Sequence, residues 1–210
     1  MKKSIENFTI LSLVLLYGCF GSAQTQPVSL TPPKGKAIAV FAEGCFWCSE
    51  HIFEAVVGVD SALSGYSGGH TINPTYREVC GEQTGHAEAV MVYYDPQKVS
   101  FDDLVQVFFS SHDPTTPDRQ GPDRGSSYRS VAFYKTQAEK ESIETAIQTV
   151  NQSKRFKNKV VTEVTPLEKF YRAEEYHQNY IPLNPDNPYV QNVSLPRFEL
   201  FKRAYKGKLQ

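Results

Sequence analysis

The chain has 210 residues, 40% hydrophobic, 12% aromatic and 21% charged, an ordinary globular composition with enough length for one well-packed domain. Its formal net charge of -1 gives no electrostatic ground for binding nucleic acid or acidic substrates. No internal repeat or low-complexity segment is evident.

The first residues read as a targeting segment outside the fold. Lys2 and Lys3 make a basic start, Phe8 to Tyr17 is an apolar core too short to span a bilayer as a mature helix, and small residues follow, the pattern of a secretory signal peptide. Two cleavage sites compete. Leu16-Tyr17-Gly18-Cys19 resembles a bacterial lipobox, in which residues 1–18 are removed and Cys19 is acylated, whereas Gly21-Ser22-Ala23 resembles an ordinary signal-peptidase site. The lipobox is the preferred reading, so the expectation is export to the cell envelope with a lipid anchor at Cys19; a soluble periplasmic form cut after Ala23 is the alternative. Residues 19–35, rich in Ser, Gln, Thr and Pro, read as a tether, and residues 36–210 as a single domain.

Ala37 to Ala42 is a continuous apolar run of strand length, and beyond it Ile52, Phe53, Val56 and Val57 recur at helical spacing, predicting a helix over about 45–57. Gly44 supplies the turn between them. Val59 to Tyr66 reads as a strand ending in Ser67-Gly68-Gly69, and a polar loop with Asn73-Pro74-Thr75-Tyr76 follows. His86 to Tyr94 alternates, with Glu88, Val90, Val92 and Tyr94 on one face and Ala87, Ala89, Met91 and Tyr93 on the other. Ser100 caps a helix to about Ser110. His112 to Arg129 is a long irregular segment of the kind that is usually functional inside a compact domain. Val131 to Tyr134 is a strand, Thr136 and Glu139 form a capping box for a helix to about Val150, and Lys159 to Thr165 is a further strand. Ala173 to Tyr180 is predicted as a short helix and Phe198 to Tyr205 as a basic amphipathic one, with Lys202, Arg203, Lys206 and Lys208 read as a solvated face. The order βαββαβ at its heart predicts an α+β fold, a two-layer α/β sandwich with a mixed sheet and a ferredoxin-like core.

Gly44-Cys45-Phe46-Trp47-Cys48-Ser49-Glu50 places two thiols three residues apart at a strand-to-helix junction. Unpaired N–H groups and the helix dipole favour an anion there, so Cys45 is expected to ionise more readily than a free thiol; the dipole is worth only about 0.3–1 kcal/mol, less than about one pKa unit. Positions i and i+3 on a helix have Cβ atoms roughly 5–6 Å apart. A disulfide needs roughly 3.5–4.5 Å, so a Cys45–Cys48 bridge requires the first turn to give and is labile rather than structural. Half a zinc site is disfavoured because no second Cys or His pair with ligand spacing accompanies it. A thioredoxin-type oxidoreductase shares the same placement and remains open on position alone.

Glu88 shares its strand face with Val90 and Val92, so its carboxyl is expected in an apolar layer that raises its pKa and keeps it protonated; a solvent-facing edge position is the rival. Together Gly44-Cys45-Phe46-Trp47, Gly65-Tyr66-Ser67-Gly68-Gly69, Asn73-Pro74-Thr75-Tyr76, Gly85-His86-Ala87-Glu88-Ala89-Val90, His112-Asp113-Pro114, Tyr128-Arg129-Ser130 and Tyr176-His177-Gln178 resemble the class A peptide methionine sulfoxide reductases, from about Lys36 to Pro188. The resemblance implies a monomeric catalytic domain that needs no metal or other cofactor and acts on methionine S-sulfoxide, free or in proteins. It gives Cys45 the role of nucleophile and Glu88 that of general acid. It has Tyr76 and Tyr128 hydrogen-bonding the sulfoxide oxygen, Asp123 shaping the polar side of the pocket, and Phe46 with Trp47 holding the substrate methyl. His86 and His177 lie in matching motifs and are read as supports rather than bases. Many members resolve the Cys45 sulfenic acid with cysteines near the C-terminus, but no Cys follows Cys80 here. Cys48 is therefore the natural resolving thiol, with Cys80 as the backup, and an external thioredoxin-like dithiol is expected to reduce the disulfide.

Overall fold

A computed structural model of the chain describes residues 25–210. The segment read as a signal peptide, and Cys19, lie outside the described residues. Within the stretch read as a tether, the backbone lies against the domain from Thr25 onward. Val28 N–H donates to the Phe170 carbonyl at 2.8 Å, and Val28 and Leu30 pack on the sheet. Two apolar side chains among the polar residues are enough to dock it.

The elements in chain order are β1 (Ala37–Glu43), α1 (Phe46–Glu54), β2 (Val59–Ser67), α2 (Tyr76–Cys80), β3 (Ala87–Tyr94), α3 (Phe101–Ser111), the short pair β4 (Arg119–Gln120) and β5 (Asp123–Arg124), β6 (Ser130–Tyr134), α4 (Gln137–Gln152), β7 (Glu163–Pro166), β8 (Phe170–Arg172), α5 (Tyr180–Leu183) and α6 (Leu195–Ala204). The main sheet runs β7-β6-β1-β3-β2-β8, parallel only between β6 and β7. Its inner four strands, β6-β1-β3-β2, have the ferredoxin-like order, so the expected α+β sandwich is the observed one.

Strand β1 lies inside the sheet, between β3 and β6, which is why its sequence is apolar on both faces. Ala39 and Phe41 point to the layer that holds Ile52 and Phe53 of α1, Leu104 and Phe108 of α3 and Ile143 of α4. Phe41 stacks on Phe53 and Phe108 with ring centroids 5.2 and 5.1 Å away. Ile38, Val40 and Ala42 face the opposite layer with Ala89, Met91 and Phe133, roofed by Val28, Leu30 and Leu167.

The C-terminal third departs from expectation. The strand predicted over 159–165 begins only at Glu163, and residues 173–180 are not one helix: β8 precedes them, Glu175–His177 is a 3₁₀ turn, and α5 starts at Tyr180. Asn179, at a φ of 51°, breaks the helix; its N–H donates to Glu50 Oε1 at 2.7 Å. The last helix starts earlier than predicted, because a π-helical turn, Val190–Ser194, runs directly into α6.

Candidate active site

Five segments deliver side chains to one edge of the sheet, the fifth being the stretch after α5 that carries Asn187 and Tyr189. Strand β1 ends there and passes through Gly44 to Cys45, which caps α1. Gly44 has a φ of 91°, and a Cβ on it would run into the Gln120 side chain, so this turn admits only glycine. Strand β3 starts at the same edge with Glu88 paired to Tyr66 of β2. Helix α2 sets Tyr76 in its first turn through a Thr75–Glu78 capping box that the sequence reading missed. Glu174 then fastens it, accepting from Tyr76 N–H and Tyr66 O–H at 2.8 Å each. The long segment 112–129 is not featureless: the β4–β5 hairpin brings in Asp123, and a 3₁₀ turn at Ser126–Tyr128 brings in Tyr128.

The result is a pocket of about 300 Å³ lined by Cys45, Phe46, Trp47, Tyr76, Glu88, Asp123, Tyr128, Asn187 and Tyr189. All the pocket residues expected from sequence are therefore together, except Cys48, which lies one helical turn behind Cys45. Asn187 and Tyr189 are additions that no sequence pattern marked. Tyr189 donates its hydroxyl to Asp123 and meets Trp47 edge-on, with centroids 5.9 Å apart. Trp47 stacks flat on Tyr180 at 3.6 Å and donates its indole N–H to His177 Nδ1 at 3.1 Å. His177 is thus a support, held neutral by burial that pushes its pKa down to about 4. His86 likewise holds the neighbouring loop, accepting from Gly69 N–H at 3.1 Å.

Glu88 is 2% exposed, and burial pushes its pKa up to about 8 despite one hydrogen bond from Phe46 N–H to Oε2 at 3.1 Å. At neutral pH it is a neutral acid. With Oε2 satisfied by an amide, its proton belongs on Oε1. Burial, then the nearby Glu88, raises the phenols of Tyr76 and Tyr128, which therefore stay protonated donors.

The thiols behave differently from expectation. Both are free and buried. Burial raises the Cys45 pKa well above an ordinary thiol, and the S–H it donates to Cys48 raises it further, so the predicted easy ionisation of Cys45 does not hold. A helix N-terminus worth about 0.3–1 kcal/mol does not outweigh desolvation of this kind. Cys48 moves the other way. The Cys45 S–H leads, burial opposes, and the charge of Arg197 and the Ser194 hydroxyl 3.2 Å away complete a fall to about 7. The dithiol thus gives up its first proton around neutrality, with Cys48 the favoured holder of the charge. Cys80, at the end of α2, lies outside the pocket, and burial raises its pKa.

Residues 37–209 match the family model for peptide methionine sulfoxide reductase. The chain belongs to that family. It is 47% identical over 173 residues to peptide methionine sulfoxide reductase MsrA of Natronomonas pharaonis, an alignment covering 82% of this chain and 97% of that one. It is 46% identical over 170 residues to the MsrA of Trichodesmium erythraeum, covering 81% and 96%. Among solved structures it is similar to methionine sulfoxide reductase A of Corynebacterium diphtheriae, with a TM-score of 0.66, 36% identity, and coverage of 73% of this chain and 77% of that one. The reduced form of Mxr1 from Saccharomyces cerevisiae gives a TM-score of 0.69 at 33% identity, covering 74% and 89%. Membership of the methionine sulfoxide reductases answers the ambiguity of the dithiol motif: the chain is an oxidoreductase of this family, not a thioredoxin-type protein.

Proposed function

We propose that the chain reduces methionine S-sulfoxide, free or in proteins, through Cys45, with Glu88 as acid and Cys48 as resolving thiol. The observation that supports this best is a protonated, buried Glu88 in the same small pocket as Cys45, with the phenols of Tyr76 and Tyr128 lining it too. The sulfoxide methyl enters the aromatic side made by Phe46 and Trp47. Its oxygen faces Glu88, Tyr76 and Tyr128, and its sulfur faces Cys45. As Cys45 Sγ attacks the substrate sulfur, its proton passes to the Cys48 thiolate, and Glu88 protonates the departing oxygen. The S–O bond of the substrate breaks, methionine leaves, and Cys45 becomes a sulfenic acid. Cys48 passes its proton by way of the Glu88 carboxylate to the hydroxyl of the sulfenic acid as it attacks Cys45, so the disulfide forms, the S–O bond breaks and water leaves; Glu88 then regains a proton from solvent.

Regeneration falls to a thioredoxin-like dithiol protein, a reading supported by the related Mxr1 of Saccharomyces cerevisiae, whose structure in complex with Trx2 is similar to this chain at a TM-score of 0.50 and 25% identity. The chain works as a monomer in the cell envelope, anchored by acyl-modified Cys19. Mass spectrometry of the mature N-terminus tests that part: a chain starting at Gln24 would refute anchoring.

The assay of the chemistry uses the mature protein, dithiothreitol and both sulfoxide epimers. Turnover of the S epimer alone is expected; turnover of only the R epimer, or of neither, sinks the proposal. With a thioredoxin system, Cys48→Ser is expected to stop after one methionine per enzyme while Cys80→Ser continues. The reverse result would make Cys80 the resolving thiol.

A further inference from the structure

We infer that Arg197, on the C-terminal helix, is the positioning residue that favours the Cys48 thiolate for attack on the Cys45 sulfenic acid. This rests on the reading of Cys48 as the resolving thiol.

The guanidinium is built into the protein. Its side chain is 12% exposed, Nη2 meets Glu43 Oε1 at 2.7 Å, and Nε donates to the Ser111 carbonyl at 2.8 Å. The remaining nitrogen, Nη1, faces the Gly44 turn, where a Cβ would stand 3.8 Å from it. Arg197 and Cys48 line one cleft between the β4–β5 hairpin and α6, behind the substrate pocket. Glu43 is fully buried at the end of β1, and Ser111 and His112 hold its other oxygen. Glu43 thus fixes one edge of the guanidinium, and its third nitrogen is left on the side of the dithiol.

The other groups around Cys48 do not do the same work. Cys45 donates its S–H to Cys48 in the reduced enzyme, but that donor is consumed when Cys45 becomes Cys–S–OH. Asp123 opposes a charge on Cys48, Glu88 nearby is an acid, and Tyr189 gives its hydroxyl to Asp123. Ser194 supplies one hydroxyl. Arg155 and Arg203 line the same cleft, but Arg197, whose third nitrogen lies toward the Gly44 turn beside the dithiol, is the cation that contributes to the lowered Cys48 pKa, and it remains in place after the first half-reaction. In the step itself, the Cys48 thiolate forms the S–S bond, the S–O bond of the sulfenic acid breaks, and the hydroxide leaves as water with the proton that Cys48 gave up.

The test compares Arg197→Met, Arg197→Lys and the double variant Arg197→Met/Glu43→Gln, which leaves no buried charge unpaired. Two quantities are read: the pH midpoint of Cys48 alkylation in a Cys45→Ser background, and the rate of disulfide formation relative to methionine release in a single turnover. Expected are a midpoint about one unit higher in both Met variants, recovery toward the parent in Arg197→Lys, and a several-fold slower disulfide step at pH 6 that converges on the parent above pH 9. Unchanged midpoints and rate ratios in a folded double variant would overturn the assignment. If Cys48→Ser itself still forms a disulfide through Cys80, the resolving-thiol reading fails instead, and the role of Arg197 falls with it.

Discussion

Glu88 and Cys48 have pKa values displaced in opposite directions, both toward neutrality, one by loss of water and the other chiefly by its partners. For Glu88 the consequence is a proton available to the sulfoxide oxygen up to about pH 8. Replacing it by Gln keeps the shape and removes the acid, so kcat/KM should fall about 10²–10⁴-fold, the usual worth of a positioned acid. The alkaline decline near pH 8 should vanish from what activity remains; a variant with the parent pH profile would take the proton from Glu88 and give it to another group. The same carboxyl also shapes stability. A folded-state pKa raised from 4.5 to about 8 means that the folded state binds more protons between those values. Stability is therefore lost as pH rises through that window. Denaturant unfolding at pH 5 and pH 8.5 should show Glu88→Gln gaining on the parent at the higher pH. Glu88 was legible because strand alternation put it beside Val90 and Val92, all three buried in the structure. Arg197 was not, because on a helix of exposed Lys and Arg nothing in the sequence distinguishes the one cation that turns inward to a glutamate 154 positions away.

Among the elements, those long enough to show a strong apolar periodicity were readable: β1, α1, β2, β3, α3, β6 and α4. Those whose form depends on distant partners were not. Helix α2 is five residues long, and its apolar content is one buried valine, so only its capping box marks it. Thr75→Ala should cost about 1 kcal/mol and, by loosening Tyr76, lower kcat/KM as well; thermal unfolding and steady-state kinetics read both. Asp123 reached the site by resemblance alone, since the hairpin that carries it has only two residues per strand. The turn before α1 is less tolerant. Gly44→Ala meets both a positive φ and the Gln120 side chain, and should destabilise the fold and misplace Cys45, with activity falling further than the melting temperature implies.

At the scale of the whole molecule, the ferredoxin-like order sets the ends of β1 and β2 and the starts of β3 and β6 around one edge, so residues far apart in sequence share a pocket. The C-terminal helix then closes the rear of that edge through Phe201, which is 1% exposed against the core. Phe201→Ala should cost about 3–5 kcal/mol in denaturant unfolding.

Arg197 lines the cleft behind Cys48 while Cys45 opens on the pocket, and on the proposed chemistry this gives a Cys45–Cys48 disulfide a polarity. In thiol exchange the sulfur of lower pKa leaves faster, so an incoming reductant is directed to Cys45 and expels Cys48. Cys45 is reached through the pocket that the sulfoxide uses. Oxidant and reductant must then pass through one doorway in turn, and neither is served while the other occupies it. At a fixed, low concentration of reductant, turnover should rise with sulfoxide, reach a maximum and decline, and more reductant should move that maximum to higher sulfoxide.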